Sequence, residues 1–214
     1  MISDIKYYIQ AWWQFVKRPV DGRIKLSKGT YKPVLAMMVV DLLVLVPFIA
    51  LMSAIMESYG INMDEHEVAR LLRESPMTVL VAAVVFAPLL EEFAFRFFIT
   101  LQRAYYFTLP YLMLSSLSDK SRFGQQRGMV KTWRWLFPII FYLSCLLFGI
   151  VHIYNFPNAD ELMAVAPLFT FPQFFLGTIL GFLRVRFGFW YNVLFHAIHN
   201  AALIVPVIVF GLEA

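Results

Sequence analysis

Five long runs of apolar residues, set apart by short polar segments, dominate the chain. A helix needs about 20 residues to cross a hydrocarbon core. Residues 33–56, 77–103, 135–153, 162–183 and 189–212 each come close to that length or exceed it. Ahead of them, Ile5, Tyr8, Ile9, Trp12, Trp13 and Val16 recur at helical spacing beside Lys6 and Lys17. That pattern predicts an amphipathic helix over residues 3–17, lying either on the membrane surface or against the bundle. Residues 104–117 either extend the second span or re-enter the interface, and residues 118–131 read as a polar cytoplasmic loop. Pro47, Pro88, Pro172 and Pro206 fall inside apolar runs and predict kinks. The expected fold is all-α: a polytopic membrane bundle of about five transmembrane helices over residues 33–214. A cytoplasmic amphipathic segment, residues 1–32, precedes it.

Composition agrees. Hydrophobic residues make up 60% of the 214 and charged residues 15%, and the mean hydropathy is +0.69. Soluble domains run at roughly 45–50% apolar and about 25% charged, so a soluble enzyme and a disordered chain are both excluded. A single cysteine, Cys145, leaves no intrachain disulfide framework and no cysteine metal site. The net charge of +4 could suggest nucleic acid, but the cations are grouped by segment, which points to a membrane and away from a nucleic-acid partner. Lys6, Lys17, Arg18, Arg23, Lys25, Lys28 and Lys32 precede the first span, and acids dominate the loop after it. Lys120, Arg122, Arg127, Lys131 and Arg134 precede the third span, only Asp160 and Glu161 the fourth, and Arg184 and Arg186 the fifth. Basic and non-basic loops therefore alternate, which predicts a cytoplasmic N-terminus and an outside C-terminus. The first 32 residues lack the apolar core of a cleavable leader. Trp133, Trp135, Trp190 and Tyr191 fit an aromatic belt at the inner interface.

The chemistry lies in charges that should not be there. Glu91, Glu92 and Arg96 sit in the middle of the second run, each costing about 2.5–3.5 kcal/mol on insertion scales. Glu92 and Arg96 are four apart and share a helix face, so they can pair. Glu91 points about 100° away and needs a partner on another helix, a proton or water. His152 ends the third run, and His196, His199 and Asn200 lie in the fifth. A bundle interior is the cheapest place for such groups, so they are expected to converge. Any one of them could instead be structural. Asp41 in the first span reads as a lone carboxylate with a structural partner, and Ser144 carries no supporting nucleophile pattern.

Glu91-Glu92-xxx-Arg96, then Phe148-xxx-His152, then His196-xxx-Asn200, in this order on three spans, resembles the CAAX protease and bacteriocin-processing family of intramembrane endopeptidases. That group includes the type II CAAX prenyl endopeptidases. The likeness covers about residues 78–205, and the run from Gly181 to Arg184 also fits the family. It implies peptide-bond hydrolysis inside the bilayer. Glu91 and His152 would activate a water, His196 and Asn200 would form the oxyanion side, and Glu92 and Arg96 would organise the site. Members have been described as metalloproteases, and Glu91, His152 and His196 would make a plausible zinc set. Asparagine, however, is a poor zinc ligand and His-Glu-xx-His is absent, so a metal-independent reaction with no cofactor is favoured. The prenyl endopeptidases usually have more spans than five, so the implied substrate is the more general one, a membrane-tethered peptide or protein. A proton-coupled transporter and a non-catalytic immunity protein are the competing readings. The charge alternation and the lack of a transit peptide favour a bacterial inner membrane, and the oligomeric state is open.

Overall fold

The structure, a computed structural model, describes residues 2–24, 30–58, 67–100, 119–155 and 166–210. The described residues are helical apart from short connections. Residues 104–117, whose course the sequence leaves open, lie outside them.

Helix α1, Ile2–Lys17, opens with Asp4 and closes with Lys17, charges that complement the helix dipole. Of the two placements expected for it, the structure shows the packed one: Tyr8, Trp12 and Phe15 are buried in the main core. Its inward face differs from the expected one by one position. Trp13 is half exposed, whereas Phe15 packs edge-on to Phe141 with ring centroids 5.0 Å apart. Helix α2, Lys32–Ser58, is apolar all round. Val34, Met37, Val40 and Asp41 face inward, while Leu35, Val39, Leu43 and Val46 remain exposed on the molecule, as a lipid-facing surface requires.

Short α3, Glu67–Glu74, leads into a helix in three parts: α4, Pro76–Val81; a wide π turn, Ala82–Phe86; and α5, Ala87–Arg96. The helix thus stops before residue 103, the expected end of the span. Helix α6, Asp119–Val151, starts well before the membrane segment and tightens into a 3₁₀ turn, His152–Asn155. Residues 119–131 are therefore helical and not the loop expected from their polarity. Lys, Arg and Gln are good helix formers, and no proline interrupts the run until Pro138. Helix α7, Ala166–Arg186, and helix α8, Phe189–Phe210, complete the bundle.

Among the described residues, four stretches are long and apolar enough to cross a membrane: Lys32–Ala54, Pro76–Arg96, Val130–Asn155 and Phe189–Phe210. Helix α7 instead forms the centre, packing on α6, α8, α1 and α2, with Ile179, Leu180, Phe182 and Leu183 fully buried. Glycine lets it approach α6 closely. A Cβ at Gly181 would lie 2.5 Å from the Phe141 ring, and one at Gly177 would lie 3.2 Å from the Cys145 backbone. Small residues at a seam are how membrane helices gain van der Waals contact without a hydrophobic drive.

Candidate active site

The site begins with a missing hydrogen bond. Pro88 has no N–H, so it cannot serve a carbonyl one turn back. Next to it, the Ala87 N–H reaches five residues back to the Ala82 carbonyl. The Ala83 oxygen then has neither of its helical donors. The Asn200 side-chain amide on α8 donates to it at 2.6 Å. A wide turn at mid-span is thus stitched to the last helix, and both glutamates follow within one turn of Pro88.

Glu92 and Arg96 are fully buried and paired, with Arg96 Nη1 donating to Glu92 Oε1 at 2.8 Å. His196 Nδ1 lies 2.9 Å from the same oxygen, and the Asn192 amide donates to Glu92 Oε2. The Arg96 guanidinium stacks 3.8 Å over the Phe148 ring, a favourable cation–π contact in a dry site. Arg184 holds the end of α5, donating to the carbonyls of Arg96 at 2.9 Å and Phe97 at 2.6 Å. Arg184 reads in the sequence as a loop cation; the structure places it 2% exposed, because the helix end offers orphan carbonyls that a guanidinium satisfies.

Glu91 is treated differently. Its Oε2 lies 3.7 Å from His196 Nε2 and 3.9 Å from His152 Nε2, and it has no hydrogen-bond partner although buried. The Glu91 and His152 side chains keep 29% and 21% exposure, although Oε2 itself is buried. Both imidazoles are held from behind. His152 Nδ1 sits 2.6 Å from the Phe148 carbonyl and must donate there. His196 Nδ1 donates to Glu92 in the same way. In the neutral rings the two Nε2 atoms therefore carry lone pairs, and with Glu91 Oε2 they place three acceptors around one small volume. Phe148 forms the floor beneath them, its ring 4.6 Å from His152 and 5.8 Å from His196. With Nδ1–H directed at Glu92, a neutral His196 ring would present its Nε2 as an acceptor.

The structure thus brings Glu91, Glu92, Arg96, His152 and His196 together. Asn200 lies one turn beyond His196, with its resolved bond made to Ala83. His199 leaves the group and pairs with Asp41 across α8 and α2 at 2.6 Å, the structural partner expected for that acid. Ser144 donates to the Phe95 carbonyl at 2.7 Å. Asn192 went unremarked in the sequence, although it stands four residues before His196 and so on the same face of α8.

Zinc would set a geometric requirement on this donor set. Bonds of about 2.0–2.2 Å at a tetrahedral angle put ligand atoms roughly 3.3–3.6 Å apart. The carboxylate-to-imidazole separations of 3.7 and 3.9 Å are wider, and among the described residues no three His, Cys, Asp or Glu side chains form a metal-binding group.

A family model described as type II CAAX prenyl endopeptidase, Rce1-like, matches residues 73–202. No curated protein and no solved structure matches the chain. The matched region contains the wide turn, all seven residues of the three motifs and Asn192, and covers well over half of the chain. The chain belongs to the type II CAAX prenyl endopeptidase Rce1-like family and is a multi-pass membrane protease of the CAAX type.

Proposed function

We propose that the protein hydrolyses a peptide bond of a membrane-tethered peptide or protein, using water activated at Glu91 without a metal. The observation that supports this most is the buried, unpartnered Glu91 Oε2 between two back-pinned imidazoles, on a side chain that keeps 29% exposure. A water there would donate one hydrogen to Glu91 and one to an imidazole Nε2, leaving its lone pairs for the substrate. Glu91 takes a proton as the water oxygen bonds to the scissile carbonyl carbon. The C–N bond then breaks, and the same proton passes to the departing amine. Glu92 and Arg96 hold His196 in position. The second amide N–H of Asn200, one turn along α8, is the donor proposed for the developing oxyanion. Prenylation of the substrate is not required by this chemistry, and the proposed setting is a bacterial inner membrane with the N-terminus inside.

The test is cleavage of a tethered reporter by detergent-purified protein. Glu91→Gln should lower the rate by about 10³-fold, within the range for a general base, with monodispersity unchanged. Cleavage by Glu91→Gln at the wild-type rate overturns the reading, and loss of wild-type activity in chelator overturns its metal-independent form. Flux through liposomes without cleavage would favour a transporter.

A further inference from the structure

A second polar cavity, away from the glutamates, lies where α1, residues 18–24 and the end of α7 meet. It measures about 480 Å³ and is lined by Tyr7, Gln10, Gln14, Arg18, Ile24 and Arg186, among others, within the roughly 300–1,000 Å³ of ligand pockets. Its back wall is tied in both directions: Arg186 Nη1 donates to the Gly22 carbonyl at 2.8 Å, and the Ile24 N–H donates to the Arg186 carbonyl at 2.9 Å. The Arg186 guanidinium also stacks over Phe15 at 5.0 Å. Burial pushes the Arg186 guanidinium below its ordinary value, opposed by the nearby Asp21 and Tyr7. Asp21 is engaged on its far side, accepting from Trp133 Nε1 at 2.9 Å. Arg18 is exposed at the mouth, and among the described residues its guanidinium makes no ion pair.

The location narrows the ligand. The end of α7, the start of α8 and residues 133–135 of α6 meet at this end of the bundle. There Trp135 and Trp190 are each 71% exposed and Trp13 is 51% exposed. Exposed tryptophans mark the depth of lipid headgroups, and the basic segments around them mark the cytoplasmic leaflet, whose lipids are anionic. Two guanidiniums flanked by glutamine amides and a tyrosine hydroxyl suit a phosphate group, which accepts bidentate N–H bonds.

We propose that this cavity binds a phosphate-bearing anion, supplied by an anionic phospholipid headgroup or by a free phosphate. The site is separate from the catalytic proposal and is tested without cleavage. Delipidated full-length protein in detergent is titrated with phosphatidylglycerol or phosphatidylcholine, and the first bound lipid is followed by native mass spectrometry. Phosphatidylglycerol should bind at least about tenfold more tightly, and Arg18→Gln should remove about tenfold of that, the scale of one charge-assisted phosphate contact. Lys6→Gln, an exposed α1 cation outside the lining, should leave it unchanged. Thermal stabilisation by inorganic phosphate that Arg18→Gln abolishes, with no lipid preference, assigns the pocket to a free anion. Equal binding of the two lipids with no phosphate effect overturns the proposal. So does an Arg18→Gln protein that matches wild type on both ligands, or a Lys6→Gln loss as large as that of Arg18→Gln.

Discussion

Glu91 and Glu92 are neighbours in the chain and opposites in the structure. Glu92 is closed off, with Arg96, His196 and Asn192 bonded to it. Glu91 faces two bare nitrogens, keeps 29% exposure and holds an oxygen with no donor. One carboxylate is spent on holding the helices in register; the other is left available for reaction. A buried ion pair is not by itself a source of stability, so its value here is the orientation it gives His196. The contrast is chemically useful because the fixed acid directs Nε2 of that ring at the free one.

The sharpest way to break the comparison is to exchange the roles. Glu91→Gln should cost about 10³-fold in reporter cleavage, roughly 4 kcal/mol of barrier, while the thermal midpoint stays near wild type. Arg96→Met should lower stability as well as activity. It strands the Glu92 charge and is expected to cost about 3–5 kcal/mol, read as a large drop in the melting midpoint in detergent. Phe148→Ala removes the floor that touches both histidines and Arg96, a loss of about 3–5 kcal/mol for a buried ring. Activity should fall with stability there, unlike at Glu91. Gly181→Ala should cost about 1–3 kcal/mol, the usual scale of overpacking, because the new methyl meets Phe141 at 2.5 Å. The smallest effect concerns α1. Lys32, by hydrogen bond and then by charge, holds the Asp4 carboxyl below its ordinary 3.8. A depressed carboxyl stabilises the folded chain above its unfolded value, so the contribution is complete at neutral pH. It fades as pH falls below about 3.8 through the folded value. Asp4→Asn should flatten that acid limb in a pH series of melting curves and leave the neutral midpoint nearly unchanged.

Most of the site was legible because charge in an apolar run is conspicuous. Glu92–Arg96 followed from four-residue spacing, and the isolation of Glu91 followed from the 100° step beside it. Convergence of three helices followed from the cost of burying each group elsewhere. The sequence could not supply which nitrogen of each histidine faces the acid, since the Phe148 carbonyl and the Glu92 oxygen decide that in three dimensions. Asn192 was overlooked because a lone amide near a helix start looks interfacial. Arg184 was misplaced because a cation at a span boundary has the same signature whether it faces water or caps a helix end. For α1, periodicity found the helix but could not separate Trp13 from Phe15 as the inward residue. Polarity disguised residues 119–131 as a loop, since helix propensity outside a membrane leaves no apolar stripe.

The wide turn at Ala82–Phe86 has a rotational consequence. It absorbs one residue more than an ordinary turn, so everything after it is phased about 100° from where an unbroken α-helix would carry it. Were the backbone to straighten there, the two acids would swing round the rod's circumference, away from the last helix. The proline that removes a donor from this turn thereby sets the compass bearing of the reactive carboxylate.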